Sequence, residues 1–293
     1  MTGEFRNLTV WLLLFGLKLM PKKRAFLWSH GWLGKERGLK RFITKQFFRL
    51  ADGIFVYNNR SRLLMIDGGI DSQKLKTIYN SLNYNKQLLI RNKLVHSDIY
   101  HHHFGNRNYT IIFIGRLTAV KRIDWMLDAI YNLSVRGEKY NVVLVGDGAE
   151  KERLEKIVKE KSLSDSVWLY GSSYDEERNA ELLFNADLCV SPGNVGLTAI
   201  HAMMYGCPVI TNDDFDHQMP EHEAILIGET GDFFHNGDMN SLTDAISRWF
   251  HSPDYHRENI RQACYREIDS KWTPDNQINI LKSFLLNADQ HER

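Results

Sequence analysis

The sequence contains little cysteine and no long apolar run. Its three cysteines, Cys189, Cys207 and Cys264, form no Cys-x-x-Cys pair and are odd in number, which argues against a disulfide framework and for a reducing compartment. The most apolar stretch, at 10–19, is about half as long as the roughly 20 residues that a membrane-spanning helix needs. No basic region precedes it and no small-residue cleavage site follows it, so a buried or interfacial helix is predicted rather than a signal peptide.

Net charge is also nearly absent. The formal charge of +1 gives no indication of nucleic-acid binding. Positive charge is nevertheless concentrated at 18–49, where ten lysines and arginines accompany a single acidic residue, Glu36. Two interpretations stay open, because such a segment is either a solvated helix face or a surface for anionic lipid or a phosphorylated acceptor. Aromatic side chains are interleaved with these cations at Trp28, Trp32, Phe42, Phe47 and Phe48.

Short apolar runs alternate with amphipathic segments along nearly the whole chain. Strands that are apolar on both faces and are separated by helices form parallel sheets covered on both sides. The polar segment 86–108 lacks clear periodicity and is predicted to be a linker, so the α/β pattern on either side of it predicts two Rossmann-like domains. The predicted strands lie at 25–29, 53–57, 75–79, 110–114, 141–145, 166–170, 187–191 and 208–211, and the predicted helices at 36–50, 60–67, 124–136, 150–161, 175–185, 196–205 and 241–250.

A cationic loop follows the predicted strand 110–114. Gly115 permits a close turn, Arg116 offers a planar fork for bidentate phosphate contact, and Lys121 adds a second positive charge. Ligands of parallel sheets bind beyond the carboxyl ends of the strands, so this loop lies where a ligand is expected. An anion site is therefore predicted, with an ordinary loop carrying surface cations as the alternative.

A glycine-rich loop follows the predicted strand 187–191. Gly193 and Gly196 allow backbone amides to approach an anion closely, and Thr198 adds a hydroxyl at the start of the next predicted helix. A diphosphate requires both positive charge and backbone donors. Two such loops at one sheet edge therefore indicate a diphosphate site.

Two further patterns are interpreted as structural. The turn Gly146-Asp147-Gly148 fails the Gly-x-Gly-x-x-Gly fingerprint because Lys151 occupies the last position, which counts against a nicotinamide-dependent oxidoreductase. Histidines at 101–103 and 217–223 suggest metal ligands, but Pro220 makes a regular helix through the second segment unlikely, so its ligands would not share one face. No metal site is predicted.

His30 follows the predicted strand 25–29 and is next to Gly31. A histidine at the carboxyl end of a strand projects toward a ligand cleft, and a hydrogen-bonded loop histidine is the alternative.

Taken together, these loops resemble glycosyltransferase family four, the large retaining group with the GT-B fold, over residues 25–285. In that family an arginine and a lysine at the positions of Arg116 and Lys121 hold the donor diphosphate, and a histidine at the position of His30 faces the reacting sugar from the acceptor-side domain. The stretch 191–205 is similar to bacterial surface-polysaccharide transferases. The other matching motifs are Val145–Gly148, Gly196-Leu197, Ala202-Met203, Gly206, Pro208-Val209, Glu221–Ile225 and Thr230-Gly231.

The resemblance implies a retaining, metal-independent enzyme that moves a sugar from a nucleotide diphosphate sugar of UDP or GDP type to a saccharide or lipid-linked acceptor, without another cofactor. It implies a partial acceptor-side domain at 1–105, a donor-binding domain at 106–270 and a C-terminal helix at 271–293 that returns to the first domain. A cytoplasmic protein in surface polysaccharide synthesis is expected, with peripheral contact at an anionic inner membrane face and no nucleic-acid partner. The implied site comprises His30, Arg116 and Lys121 as catalytic residues and Gly115, Gly148, Asn194, Val195, Gly196, Leu197, Thr198 and His201 as donor-binding residues.

The sequence departs from the family in two respects. Two glutamates of the family, which contact the donor sugar and the ribose hydroxyls, are replaced by Gly193 and His201. The acceptor-side domain is also shorter than the family's, which favours a truncated chain. Both departures keep open the alternative of a catalytically impaired nucleotide-binding or partner subunit derived from a glycosyltransferase.

Overall fold

The computed structural model describes residues 3–20 and 22–290, with side chains described as far as Leu286. It divides into two compact units. The first combines the residues up to Asn80 with those from Lys271 onward, and the second runs from Ser81 to Ser270. Each unit contains a parallel sheet flanked by helices, which confirms the predicted α/β class.

A three-stranded parallel sheet forms the centre of the first unit. Its elements are α1 (Leu8–Lys18), β1 (Phe26–Ser29), α2 (Gly38–Arg49), β2 (Gly53–Val56), α3 (Asn59–Asp67) and β3 (Leu75–Thr77). The strand order is β1-β2-β3, and Leu27 pairs with Ile54, which in turn pairs with Leu75. All three side chains are fully buried. The three strands predicted before residue 80 are therefore confirmed.

Helix α1 corresponds to the apolar stretch predicted to be a buried or interfacial helix. Val10 and Leu14 are buried, and the Trp11 ring lies 5.2 Å from the ring of Phe47 on α2. Leu12, on another side of the helix, is exposed. Among the residues that the structure describes, no helix has the length and apolar character needed to cross a bilayer.

A six-stranded parallel sheet forms the centre of the second unit. The elements are α4 (Tyr84–Arg91), α5 (Ile99–Phe104), β4 (Thr110–Ile114), α6 (Ile123–Val135), β5 (Asn141–Val145), α7 (Lys151–Glu160), β6 (Val167–Gly171), α8 (Glu176–Asn185), β7 (Leu188–Ser191), α9 (Thr198–Met204), β8 (Val209–Asn212), β9 (Gly231–Phe234), α10 (Met239–His251) and α11 (Arg257–Lys271). The strand order is β6-β5-β4-β7-β8-β9. The chain builds outward from β4 to β6, returns to β7 beside β4, and continues to β9. The order reverses between β4 and β7, and a ligand crevice forms beyond the carboxyl ends of strands at such a point.

The segment 86–108 is not the predicted linker. It contains α4 and α5, which are only eight and six residues long. Gln87 and Ile90 of α4 are buried, and the hydroxyl of Tyr100 on α5 donates to the carbonyl of Leu182 at 2.6 Å. Helices this short do not show the repeated apolar spacing by which helices are recognised in a sequence. The second unit consequently begins at Ser81 rather than at residue 106.

The two ends of the second unit lie side by side. Arg91 Nη2 forms an ion pair with Asp269 Oδ2 at 2.8 Å, and the hydroxyl of Tyr84 donates to Asp269 Oδ1 at 2.9 Å. The arginine side chain is largely buried, so water screens this pair less than a fully exposed one. Helix α4 at the beginning of the unit is thereby joined to α11 at its end.

The last helix, α12 (Pro274–Gln290), packs on the first unit. Trp272, just before it, is 1% exposed, and its ring lies 5.2 Å from the ring of Tyr79. Gln277 Nε2 donates to the carbonyl of Tyr79 at 3.0 Å, and the ring of Phe284 lies 5.3 Å from that of Phe55 on β2. Aromatic burial therefore holds α12 against the sheet of this unit.

Candidate active site

Three loops meet where β5, β4 and β7 end. The N–H of Gly115 donates to Val145 O at 2.9 Å, and the N–H of Leu117 donates to Asp147 O at 2.9 Å. Gly146 leaves no room for a side chain, since a Cβ there would lie 1.9 Å from Gly115 O. The glycine turn after β5 therefore packs directly against the cationic loop after β4.

Gly193 brings the cationic loop against the glycine-rich loop after β7. Its N–H donates to Lys121 O at 3.0 Å. A Cβ at this position would lie 2.0 Å from Val120 O and 2.8 Å from Lys121 Cα. Any larger residue, including the glutamate of the related family, would force the two loops apart. The replacement of that glutamate by glycine thus has a steric reason in this chain.

Lys121 joins the two loops by a second contact. Its Nζ donates to Asn194 O at 2.6 Å. Burial, and then the like charge of Arg116, lower the pKa of Lys121 below its ordinary value. Arg116 is exposed, and among the described residues its guanidinium has no hydrogen-bond or ion-pair partner. The two predicted cations therefore differ, because Lys121 supports the glycine-rich loop while Arg116 is available to a ligand.

The beginning of α9 differs from the prediction. Helix α9 has only seven residues, so its macrodipole contributes less than predicted. The Thr198 hydroxyl donates to Ile114 O at 3.2 Å, so its proton is already used. Gly196, with φ of 56°, turns the chain into the helix. Within the described part of the chain, the N–H groups of Gly196, Leu197 and Thr198 donate to no acceptor, so they remain as backbone donors there.

Two predicted donor-binding residues have other roles in the structure. The N–H of Gly148 donates to Asp147 Oδ1 at 2.8 Å, and a Cβ at Gly148 would lie 2.3 Å from Leu117 O. The N–H of Val195 donates to Gln218 Oε1 at 2.9 Å, and the Val195 side chain is buried. Both amides donate within the protein and both residues support the loops, while their contact with the donor stays a prediction.

His201 lies on α9 beside a carboxylate that the sequence interpretation missed. Its Nε2 is 3.0 Å from Glu176 Oε1, which also accepts hydrogen bonds from the Tyr205 hydroxyl at 2.7 Å and from Gln87 Nε2 at 2.8 Å. Burial acts to raise the pKa of Glu176, but the hydrogen bonds from His201, Tyr205 and Gln87 outweigh it and lower the pKa to about 2. The carboxylate is therefore charged, and it orients the imidazole of His201.

His30 lies in the first unit, directly after β1. It is exposed, and its ring is 4.8 Å from that of Tyr57. Gly31, with φ of 67°, forms the turn after it, and the N–H of Gly31 donates to Ser29 Oγ at 3.1 Å. The imidazole thus stands at the carboxyl edge of this sheet, where the sequence placed it.

The histidine-rich segments have local partners. The His103 ring stacks on Trp168 at 3.9 Å, and burial lowers the pKa of His103. His101 Nδ1 lies 3.1 Å from Asn106 O, and His222 Nδ1 lies 2.8 Å from Met219 O. Over residues 3–20 and 22–286, no group of three or more histidine, cysteine, aspartate or glutamate side chains is arranged to hold a metal ion.

Sequence reasoning missed two polar residues of this region. Glu176 follows the N-cap Asp175 in the first turn of α8, where an acidic residue is usual and so indicates no functional role by itself. Gln218 lies in the segment 217–223, whose histidines and glutamates suggest metal ligands but give no role to a glutamine. A glutamine between turn residues carries no recognisable pattern, so only its buried position identifies its role.

The chain matches known proteins over this region. The family model described as Glycosyl transferases group 1 matches residues 101–267. A Klebsiella pneumoniae protein described as an uncharacterized 41.2 kDa protein in cps region is 27% identical over 245 residues, which is 82% of this chain and 62% of that protein. The alpha-D-kanosaminyltransferase of Streptomyces kanamyceticus is 24% identical over 53% of this chain and 39% of its own length. The chain thus spans less than two thirds of either relative.

Solved structures of GT-B glycosyltransferases share the fold. The apo form of the lipopolysaccharide outer core galactosyltransferase WaaB has a TM-score of 0.71 and 16% identity, covering 98% of this chain and 73% of its own. Anabaena HepE in complex with UDP has a TM-score of 0.69 and 16% identity, covering 96% of this chain and 77% of its own. The family match spans more than half of the chain and contains all three loops. The chain belongs to the glycosyl transferases group 1 family.

Proposed function

We propose that the protein transfers a sugar from a UDP- or GDP-linked donor to a saccharide or lipid-linked acceptor during bacterial surface polysaccharide synthesis. The observation that carries this proposal is the junction of the two loops at Gly193, together with the charges of the Arg116 guanidinium and the half-buried Lys121 ammonium. The cps-region relative and the UDP complex of a protein with the same fold support it. Family membership leaves the oxidoreductase alternative without support.

The chemistry follows from charge. When the glycosidic bond of the donor breaks, negative charge accumulates on the leaving diphosphate. Fixed cations and amides aimed at that charge stabilise the transition state more than the ground state. Arg116 is available to make bidentate contact, and Lys121 adds charge at short range from a half-buried position. We propose that these groups act without a metal ion and that the reaction retains the anomeric configuration.

The remaining polar groups are assigned to recognition. We propose that His201, oriented by Glu176, contacts a ribose hydroxyl of the donor. Since Gly193 supplies no carboxylate, we propose that the side chain of Asn194 takes over contact with the donor sugar. His30 is proposed to bond the reacting sugar or to orient the acceptor.

Transfer assays with paired variants test this function. Purified protein is incubated with a panel of UDP- and GDP-sugars, and transfer to lipid-linked saccharide and hydrolysis of the donor are both measured. Arg116→Ala and Lys121→Ala are expected to lower kcat/KM by about a hundredfold or more, the usual cost of removing one electrostatic contact to the transition state. Arg136→Ala removes an exposed guanidinium from the C-cap of α6 and serves as the control. Unchanged turnover in both test variants would refute the proposal.

A nucleotide-binding subunit without transferase activity is the second candidate. The steric exclusion of a carboxylate at Gly193 favours it, because that group touches the donor sugar in related enzymes. Binding of UDP or GDP by the wild-type protein, with neither transfer nor donor hydrolysis from any sugar in the panel, would establish this candidate instead.

We also propose that the protein is cytoplasmic and contacts the anionic inner face of the membrane through α2. Leu39 and Phe42 of this helix are 73% and 59% exposed, and Lys40 between them is exposed as well. Apolar side chains flanked by cations suit an interface in which acyl chains and anionic headgroups are both present.

Vesicle co-sedimentation tests this surface. Binding is expected to vesicles containing phosphatidylglycerol and to be weaker with phosphatidylcholine alone. Leu39→Ser with Phe42→Ser should reduce it, and Lys40→Glu should reduce it about fivefold or more, since each cation near such a surface contributes about 1 kcal/mol. Leu89→Ser, which alters a leucine of α4 that is 66% exposed, is the control. Equal sedimentation with both kinds of vesicle would exclude the role of charge.

A further inference from the structure

The loop between β7 and α9 rests on a group of buried polar side chains, Thr211, Asn212 and Gln218, here termed the polar platform. Thr211 and Asn212 are the last residues of β8, and Gln218 lies in the segment that follows. All three are at least nine-tenths buried. Buried polar side chains are retained at little cost only when they are hydrogen-bonded, so the partners of these three residues indicate their role.

The polar platform binds successive carbonyl groups of the loop. Thr211 Oγ1 lies 2.8 Å from Ser191 O, and Asn212 Nδ2 lies 2.8 Å from Pro192 O and 2.9 Å from Gly193 O. The next carbonyl is held by Lys121, as described above. Carbonyl oxygens repel an anion. The carbonyl oxygens of residues 191–194 all point toward donors of the protein. The loop therefore presents N–H groups, rather than carbonyl oxygens, to an anion.

Gln218 is the member that fixes both peptide groups around Asn194. Its Nε2 lies 3.3 Å from Gly193 O, 3.0 Å from Thr211 Oγ1 and 3.1 Å from Asn212 O. Its Oε1 accepts the N–H of Val195 at 2.9 Å. One amide side chain thus binds the carbonyl before Asn194 and the N–H after it.

Peptide planarity gives this arrangement a consequence for the ligand. In a trans peptide, the C=O and the N–H point in opposite directions. Because Gly193 O is directed to Asn212 and Gln218, the N–H of Asn194 in the same peptide is directed away from the polar platform. The N–H of Asn194 is next in sequence to that of Gly193, which donates to Lys121 O in the cationic loop.

We propose that Gln218 is a positioning residue of the donor site. It orients the Asn194 N–H, and the following free amides of the loop, toward the donor diphosphate without touching the donor itself. This inference rests on the proposed function, since it assigns a task within the same site. It predicts that loss of Gln218 weakens binding of the diphosphate selectively and lowers kcat, because charge on the diphosphate increases in the transition state.

Two platform variants and one matched control test the inference. Gln218→Met keeps an unbranched side chain of similar length but removes the amide, and Thr211→Val removes the hydroxyl that Gln218 contacts. Thr243→Val is the control, since this buried hydroxyl of α10 bonds only to the carbonyl of Met239 among the described residues. Dissociation constants for UDP, GDP and the corresponding nucleosides are measured by calorimetry, and kcat and KM with the donor sugar, below the melting temperature of every variant.

Gln218→Met is expected to bind the nucleoside diphosphate at least about tenfold more weakly, a change of about 1.4 kcal/mol. Its affinity for the nucleoside should stay within about twofold, and kcat should fall as well. Thr211→Val should show the same selectivity with a smaller loss, and it provides the test if Gln218→Met does not fold. The inference is overturned if folded variants keep wild-type diphosphate affinity and kcat, or if nucleoside and diphosphate affinities fall equally. Failure of the wild-type protein to bind UDP or GDP would instead count against the proposed function.

Discussion

Gly193→Ala is predicted to destabilise the second unit and to weaken donor binding, although it adds only one methyl group. The added Cβ would lie 2.0 Å from Val120 O, a backbone atom that cannot rotate away. The loops must separate, which breaks the hydrogen bond from the Gly193 N–H to Lys121 O and strains the contact of Lys121 with Asn194. Gly193→Glu, which restores the carboxylate of the related family, should therefore be worse than Gly193→Ala rather than better.

The expected magnitude follows from these contacts. Overpacking costs about 1–3 kcal/mol and a lost buried hydrogen bond costs about 1 kcal/mol, which together give about 2–4 kcal/mol. For a unit of this size, the corresponding fall in melting temperature is roughly 5–15 °C.

Thermal unfolding by circular dichroism, with calorimetric titration of UDP and GDP, measures both effects of Gly193→Ala. Gly16→Ala is the matched control, because no heavy atom lies within 4 Å of a Cβ at this position of α1 and alanine favours a helix. A melting temperature and nucleotide affinity for Gly193→Ala that equal those of the wild type would show that the loops do not meet in this way.

Two further predictions concern Glu176 and Trp272. The pKa of Glu176 is lowered to about 2, so its carboxylate stabilises the folded state at pH values above about 4.5, and this stabilisation is lost as the pH falls toward 2. In urea titrations, the advantage of the wild type over Glu176→Gln should shrink by about 2 kcal/mol between pH 6 and pH 3, and a constant difference would contradict the pKa assignment. Trp272→Ala should lower the free energy of unfolding of the first unit by about 3–5 kcal/mol, because a fully buried indole is lost against Tyr79. A loss below 1 kcal/mol in denaturant titration would show that Trp272 does not anchor α12.

Eight of the nine strands in the described part of the chain were predictable from sequence, mostly because they are short apolar runs with glycine or polar residues at their ends, whereas β9, with the sequence Gly-Asp-Phe-Phe, was not predicted. Strands β4 and β5 are buried along their whole length, and all of their residues except Thr110 and Asn141 are apolar. Helices α4 and α5 were not predictable, since each is stabilised by a few specific contacts, such as the hydroxyl of Tyr100 with Leu182 O, rather than by a repeated apolar face.

The candidate site was predictable in outline only. Sequence placed Arg116 and Lys121 in one loop, but the partner of the Lys121 ammonium is a backbone carbonyl 73 residues further along the chain, which no local pattern reveals. The same limit applies to Gly193, which looked like the loss of a functional carboxylate and is a steric requirement of the loop contact. Gln218 illustrates the limit most clearly, because its role depends on tertiary hydrogen bonds alone.

The pairing of Arg91 and Tyr84 with Asp269 has a consequence for how this chain can be rearranged. The second unit is a continuous insertion whose entry and exit are tied together by its own side chains, while the residues before and after it belong to one body. A segment with neighbouring ends can be excised and expressed alone, or exchanged for the equivalent cassette of another transferase, without stretching either junction. If the proposed function holds, binding of UDP or GDP should therefore remain with the excised segment 81–270.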